Sequence, residues 1–170
     1  MFFNAAVIAM FTFTPDFLKH TGLTVSAAGF ATSAVMWPAL GLSPSVGYFM
    51  DRIGFKKTII AIGGLATAVL IMLIPSAAGN LMLLLILFGV VQTFVPAPVF
   101  ALVPDITRQE NLGLGYGIIS TFLHLGITLG PATAGLVRDI TGSYNTSYTL
   151  MAGFAIITTL AMVALYLNKK

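Results

Sequence analysis

The chain has 170 residues and a mean hydropathy of +0.99; 58% of its residues are hydrophobic and 8% are charged. Soluble domains carry roughly 25% charge, and a fold of this size has too little interior to hide so much apolar surface, so a water-soluble globular domain is excluded. Cysteine is absent, which excludes disulfide and thiolate chemistry, and a net charge of +3 spread over short loops is no nucleic-acid surface.

Asp, Glu, Lys and Arg are missing from residues 20–50, 58–104, 111–137 and 140–168. A spanning helix needs about 20 apolar residues, and its backbone groups must pair within the segment. Runs of this length without two-residue alternation fit helices and not barrel strands. The composition predicts an all-α membrane protein: one domain, 1–170, of six transmembrane helices.

Span 1 covers about 1–18. At about 1.5 Å per residue it barely crosses the hydrocarbon, and it reads as cut short. Its start, Met1-Phe2-Phe3-Asn4, has no basic stretch, so no signal peptide is expected. Pro15-Asp16 through Gly22 closes it. Span 2 covers about 25–50, with Pro38 and Pro44 inside and Trp37 mid-span. The charged loop 51–57 follows. Span 3 covers about 58–75 and ends at Pro75-Ser76 and Gly79-Asn80. Span 4, about 81–103, has Pro96 and Pro98 near its end. Span 5 covers about 112–137, and span 6 about 146–167. Asn145-Thr146-Ser147 is a glycosylation sequon on the expected outer side, with a chance match as the alternative.

With the N-terminus inside, the inner loops and tail hold Arg52, Lys56, Lys57, Arg108, Lys169 and Lys170, against Lys19 and Arg138 outside. Positive charge concentrates on the cytoplasmic side, so both termini are expected there, and the plasma membrane is the expected location.

The segment Gly47-Tyr48-Phe49-Met50-Asp51-Arg52-Ile53-Gly54-Phe55-Lys56-Lys57 reads as a tight hairpin between spans. Gly47 permits close backbone approach and Gly54 a turn that a side chain would obstruct. Asp51 and Arg52 pair with each other or with a helix end, while Lys56 and Lys57 hold the loop on the inner face. The alternative is a hairpin that only sets topology. In span 5, Gly126, Gly130 and Ala134 recur every fourth residue and share one face, with Gly117 before them and Gly135 after. Small residues there admit another helix, and Pro131 should kink the segment. If that neighbour were a separate partner, its removal would leave this face against lipid and promote self-association.

The hairpin resembles the signature loop of the major facilitator superfamily: glycine, three residues, Asp-Arg, one residue, glycine, one residue, two basic residues. Gly47, Asp51, Arg52, Gly54, Lys56 and Lys57 meet every defining position. The resemblance implies that Asp51 contacts a helix of an opposite half and biases the conformation. The span 5 glycines are similar to the family's antiporter motif, with Ala134-Gly135 in place of its two final glycines. Asp139-Ile140-Thr141-Gly142-Ser143-Tyr144 resembles the stretch after the family's eleventh helix. With the short Asn168-Lys169-Lys170 tail, these features suggest the C-terminal half of the fold.

The resemblance implies secondary active transport of a small solute by alternating access, with a substrate cavity between two halves. It points to spans 1 and 4 as lining. Span 1 offers Asn4, Thr12 and Thr14; span 4 offers Gln92 and Thr93. The alternative for Gln92 is a hydrogen bond to another helix. His124 is the only ionisable residue inside a span, a functional candidate by default, with a neutral packed histidine as the alternative. The neutral cavity and the Asp139 stretch resemble carriers of organic anions or metabolites. The rival reading is a non-transporting truncated half or a pairing subunit. Expected partners are a small solute, membrane lipid and a second six-helix half, whether from the same gene, a separate chain or a homodimer. No nucleic acid, cofactor or metal is expected. No paired carboxylates, phosphate loop or nucleophile triad is visible, so an enzyme is not expected.

Overall fold

The computed structural model describes residues 1–77 and 80–167; within 47–53 it describes the side chains of Tyr48 and Arg52 only. The described residues form helices and short connections, with no strand among them.

The first helix, α1 (Phe2–His20), carries Pro15 inside it and ends where Gly22 adopts φ +101. Thr24 caps α2 (Val25–Ser33) by accepting the Ala27 amide at 3.3 Å. A 3-10 turn at Ala34–Met36 joins α2 to α3 (Trp37–Ile53), and Pro38, without an N–H, sits in the first turn after it. Next come α4 (Lys56–Leu73), α5 (Leu81–Phe94), α6 (Pro96–Ala101) and α7 (Val103–Ile106). The expected fourth span is thus broken at Val95, next to Pro96, and again at Leu102, two residues before Pro104; a proline leaves a carbonyl of the preceding turn without its partner. The bundle is completed by α8 (Leu112–Thr141) and α9 (Tyr144–Leu167), and α8 runs on as one helix through Pro131.

Among the described residues, five stretches are long and apolar enough to cross a membrane: Val25–Val46, Lys56–Ser76, Leu81–Ile106, Gln109–Thr141 and Tyr144–Leu167. Helix α1 is not among them, so by length and composition the structure supplies five of the six expected spans. Its environment gives the reason. Helix α1 packs on α2, α8 and α9, and Ala6, Ala9 and Met10 are fully buried. A helix wrapped by protein needs small residues more than hydropathy. The outer helices do the opposite: Leu40, Ile62, Leu136 and Leu160 are exposed. A surface this apolar on all sides calls for lipid as solvent.

Two close approaches fix the packing. Helices α1 and α8 run in the same direction, with Gly126 against the Met1 carbonyl and Gly130 against the Ala5 carbonyl. Gly126, Gly130 and Ala134 are all buried. This small-residue face is therefore filled by α1 of the same chain. It is not a surface that a lost partner would bare to lipid, because α1 itself supplies the close neighbour. Helix α4 packs closely along α9 in the opposite direction, Lys57 meeting Leu165 and Ala61 meeting Thr159, and a side chain at Gly64 would lie 2.7 Å from Thr159 Oγ1. The Thr159 hydroxyl donates to the Ala61 carbonyl at 3.0 Å, joining the two helices.

Candidate functional site

The hairpin between α3 and α4 is shorter than the charged loop 51–57 expected. Asp51 to Ile53 are still helical, and α4 starts at Lys56, leaving Gly54 and Phe55 as the connection. Gly54 caps α3 with φ +66, a conformation that costs a side-chain-bearing residue about 1–2 kcal/mol. Arg52 lies over the Tyr48 ring, 4.6 Å from its centre. Lys56 turns toward α6 and α7: its ammonium donates to the Ala101 carbonyl at 2.9 Å and to Asp105 Oδ2 at 2.8 Å. Lys57 reaches the Leu165 carbonyl of α9 at 3.4 Å. The surroundings of Gly47, the side chain of Asp51, and the tail Asn168, Lys169 and Lys170 lie outside the described residues.

The opposite end holds a polar cluster joining three helices. The Tyr144 hydroxyl of α9 donates to Asp16 Oδ2 of α1 at 2.5 Å, and Arg138 of α8 donates to the same hydroxyl at 2.6 Å. Arg138 also lies 3.4 Å from Asp16 and stacks over the Tyr144 ring at 4.3 Å. Deeper in, the buried Thr14 and Tyr148 hydroxyls share a hydrogen bond at 3.0 Å, and Ser147 donates to the Ala134 carbonyl at 2.9 Å. Asp16 and Arg138 drew attention in the sequence only as span ends.

The candidate substrate residues fall in three places. Asn4 lines a cavity of about 320 Å³ with Phe2, Phe3, Pro96, Phe100 and Leu123, between α1, α6, α8 and α9. Gln92 and Thr93 line a second, of about 330 Å³, with Val35, Ser43 and Gly89, between the α2–α3 and α5–α6 segments. Pro96 borders both. The Thr93 hydroxyl donates to the Gly89 carbonyl at 2.8 Å. Gln92 Oε1 is buried without a hydrogen-bond partner, a costly state for an amide in an apolar setting. His124 belongs to neither cavity. It is exposed on α8 in an open groove with Ser120, Thr121 and Thr128.

The α8 glycines divide likewise. Gly126 and Gly130 lie against the α1 backbone, a side chain at Gly135 would meet only the Phe13 ring tip at 3.3 Å, and one at Gly117 would have open space. Pro131 lies between the two contact points, partly buried. Trp37 is exposed and packs edge-on against Phe30 at 5.4 Å, away from both cavities. Among the described residues no group of three or more His, Cys, Asp or Glu could hold a metal ion.

A glycine-capped hairpin bearing Lys56 and Lys57, set in an all-helical membrane bundle, is matched by a family model that covers residues 1–170, the Major Facilitator Superfamily. The chain belongs to that superfamily. Within it, the chain is 29% identical over 128 residues to the quinolone resistance protein NorA of Staphylococcus aureus, covering 74% of this chain and 33% of that protein. It is 32% identical over 133 residues to multidrug resistance protein 2 of Bacillus subtilis, covering 72% of this chain and 31% of that protein. The chain thus spans about a third of the length of these curated relatives. This superfamily member is an integral membrane protein.

Proposed function

We propose that the chain forms one six-helix half of a secondary active transporter that moves small amphipathic organic compounds across the plasma membrane by alternating access. The observation that carries this reading is the buried Gln92 oxygen, without a hydrogen-bond partner, on a side chain that lines the cavity of about 330 Å³ between the α2–α3 and α5–α6 segments. A buried polar group without a partner is a place where a ligand restores a lost hydrogen bond. The names of the relatives, quinolone and multidrug resistance, favour drug-like compounds over the organic anions suggested by the Asp139 stretch. The cavity lining agrees: no Lys or Arg borders either cavity to hold an anion.

In this reading Asn4, Gln92, Thr93 and His124 contact solute on the face turned toward a second six-helix half, and the chain is the C-terminal half. Both termini lie in the cytoplasm, and Asp51 meets the opposite half. The exposed apolar residues of α3 and α8, Leu40 and Leu136 among them, suit such a contact. The same faces would serve a subunit that only pairs with another membrane protein, which is the second reading. Uptake of a labelled quinolone into proteoliposomes, driven by a proton gradient, separates the two. Transport by the complete assembly supports the first reading. Gln92→Leu should then lower uptake severalfold with protein level unchanged, since roughly 1–3 kcal/mol rides on a buried hydrogen bond. Full uptake in that variant removes Gln92 from the path.

A further inference from the structure

Helix α8 carries an open groove lined by Ser120, Thr121, His124, Leu125, Thr128 and Leu129. His124 Nδ1 lies 2.7 Å from the Ser120 carbonyl oxygen. A carbonyl only accepts, so Nδ1 carries the proton and, in the neutral ring, Nε2 is a bare acceptor. The Thr121 hydroxyl donates to the Gly117 carbonyl at 2.9 Å, and the Thr128 hydroxyl to the His124 carbonyl at 3.1 Å. Each hydroxyl has one proton, so both present lone pairs to the groove. Among the lining residues only Ser120 keeps a hydroxyl proton without an acceptor in the structure. The groove is rich in acceptors and poor in donors. It is also free of Asp and Glu; a fixed cation would shed its water there without a counter-charge.

We propose that this groove takes a neutral amphipathic solute bearing an N–H or O–H donor, which donates to His124 Nε2 while its apolar body lies on Leu125 and Leu129. The assignment rests on the transport reading above and names the chemistry that one wall of the path selects. A fixed organic cation or an anion finds no complement in this wall; a donor on a flat apolar ring does.

Indole and 1-methylindole form the matched probe pair, alike in shape and differing in the donor. The 170-residue chain, labelled with 15N-histidine in lipid nanodiscs, is titrated with each while the two imidazoles are followed by NMR. The expected result is a free His124 with Nδ1 protonated, an Nε2 resonance that moves with indole, and roughly fivefold weaker binding of 1-methylindole, the worth of about one net hydrogen bond. His20, at the far end of α1, stays unchanged. His124→Gln, whose amide oxygen still accepts, should keep part of the preference, and His124→Leu should abolish it. Equal titration by both indoles, silence of Nε2 toward both, or a proton on Nε2 instead of Nδ1 overturns the proposal. Proton-driven uptake by the complete assembly decides the transport reading separately, so the two failures are told apart.

Discussion

Replacing Gly130 with alanine adds one methyl group where the α1 backbone leaves no room. Its Cβ would meet the Ala5 carbonyl oxygen, with Ala5 Cα at 2.6 Å and the carbonyl carbon at 2.8 Å. Carbon atoms rest about 3.5–4.0 Å apart, so the overlap is about 1 Å. No side-chain rotation relieves it, because every atom met is main chain; α1 as a whole must retreat. Overpacking of this kind costs about 1–3 kcal/mol, offset by up to about 1 kcal/mol of intrinsic helix preference for alanine. Gly117→Ala, which meets nothing within 4 Å, keeps only the gain. The two variants should therefore differ by about 2 kcal/mol in unfolding free energy. Titration with denaturing detergent from mixed micelles, followed by circular dichroism, reads the difference. Equal stability of Gly130→Ala and Gly117→Ala would refute the close approach of α1 to α8.

Thr67 is buried on α4 with its hydroxyl unpartnered, so Thr67→Val should leave stability unchanged or raise it by up to about 1 kcal/mol; a clear loss in the same titration would reveal a hidden partner. Thr14→Val strands the Tyr148 hydroxyl in the core and should cost about 1–2 kcal/mol, whereas Thr12→Val, on the exposed face, should be near neutral. Tyr144→Phe removes the hydroxyl shared by Asp16 and Arg138 and should cost about 1–2 kcal/mol by the same measure. A double-mutant cycle on Lys56→Met and Asp105→Asn should return a coupling of about 0.5–1 kcal/mol, the modest value of a pair with one half-exposed partner; zero coupling would place the two side chains apart in solution.

The sequence spoke clearly wherever one physical term dominated. Charge-free runs located the helices, and spacing by four placed Gly126, Gly130 and Ala134 on a common face. What it left open was the neighbour, since periodicity names a face and not what fills it. The Lys56–Asp105 pair was legible in principle: the start of one span and the end of the next lie on the same side of a membrane. Tyr144 with Asp16 and Arg138 obeys the same parity. Asn4 lines one cavity, Gln92 and Thr93 another, and His124 neither; the sequence left this division open, because helix order carries no rotation angle. Packing sets that angle: α8 turns its glycines to α1, and His124, two residues from Gly126, is left on the open side. The proline breaks near Val95 and Leu102 were foreseeable one by one, though not their joint effect of cutting one span into three.

The Tyr144 hydroxyl sits where an acid from α1 and a base from α8 converge on the first turn of α9. Three strands of the same rope are knotted there, and α4 is laced to α9 along its length by the Gly64 and Thr159 contact. In the proposed transport cycle this corner would move as one body, and the give would fall to the 3-10 turn before Trp37 and the proline steps after Phe94, segments that also border the Gln92 cavity.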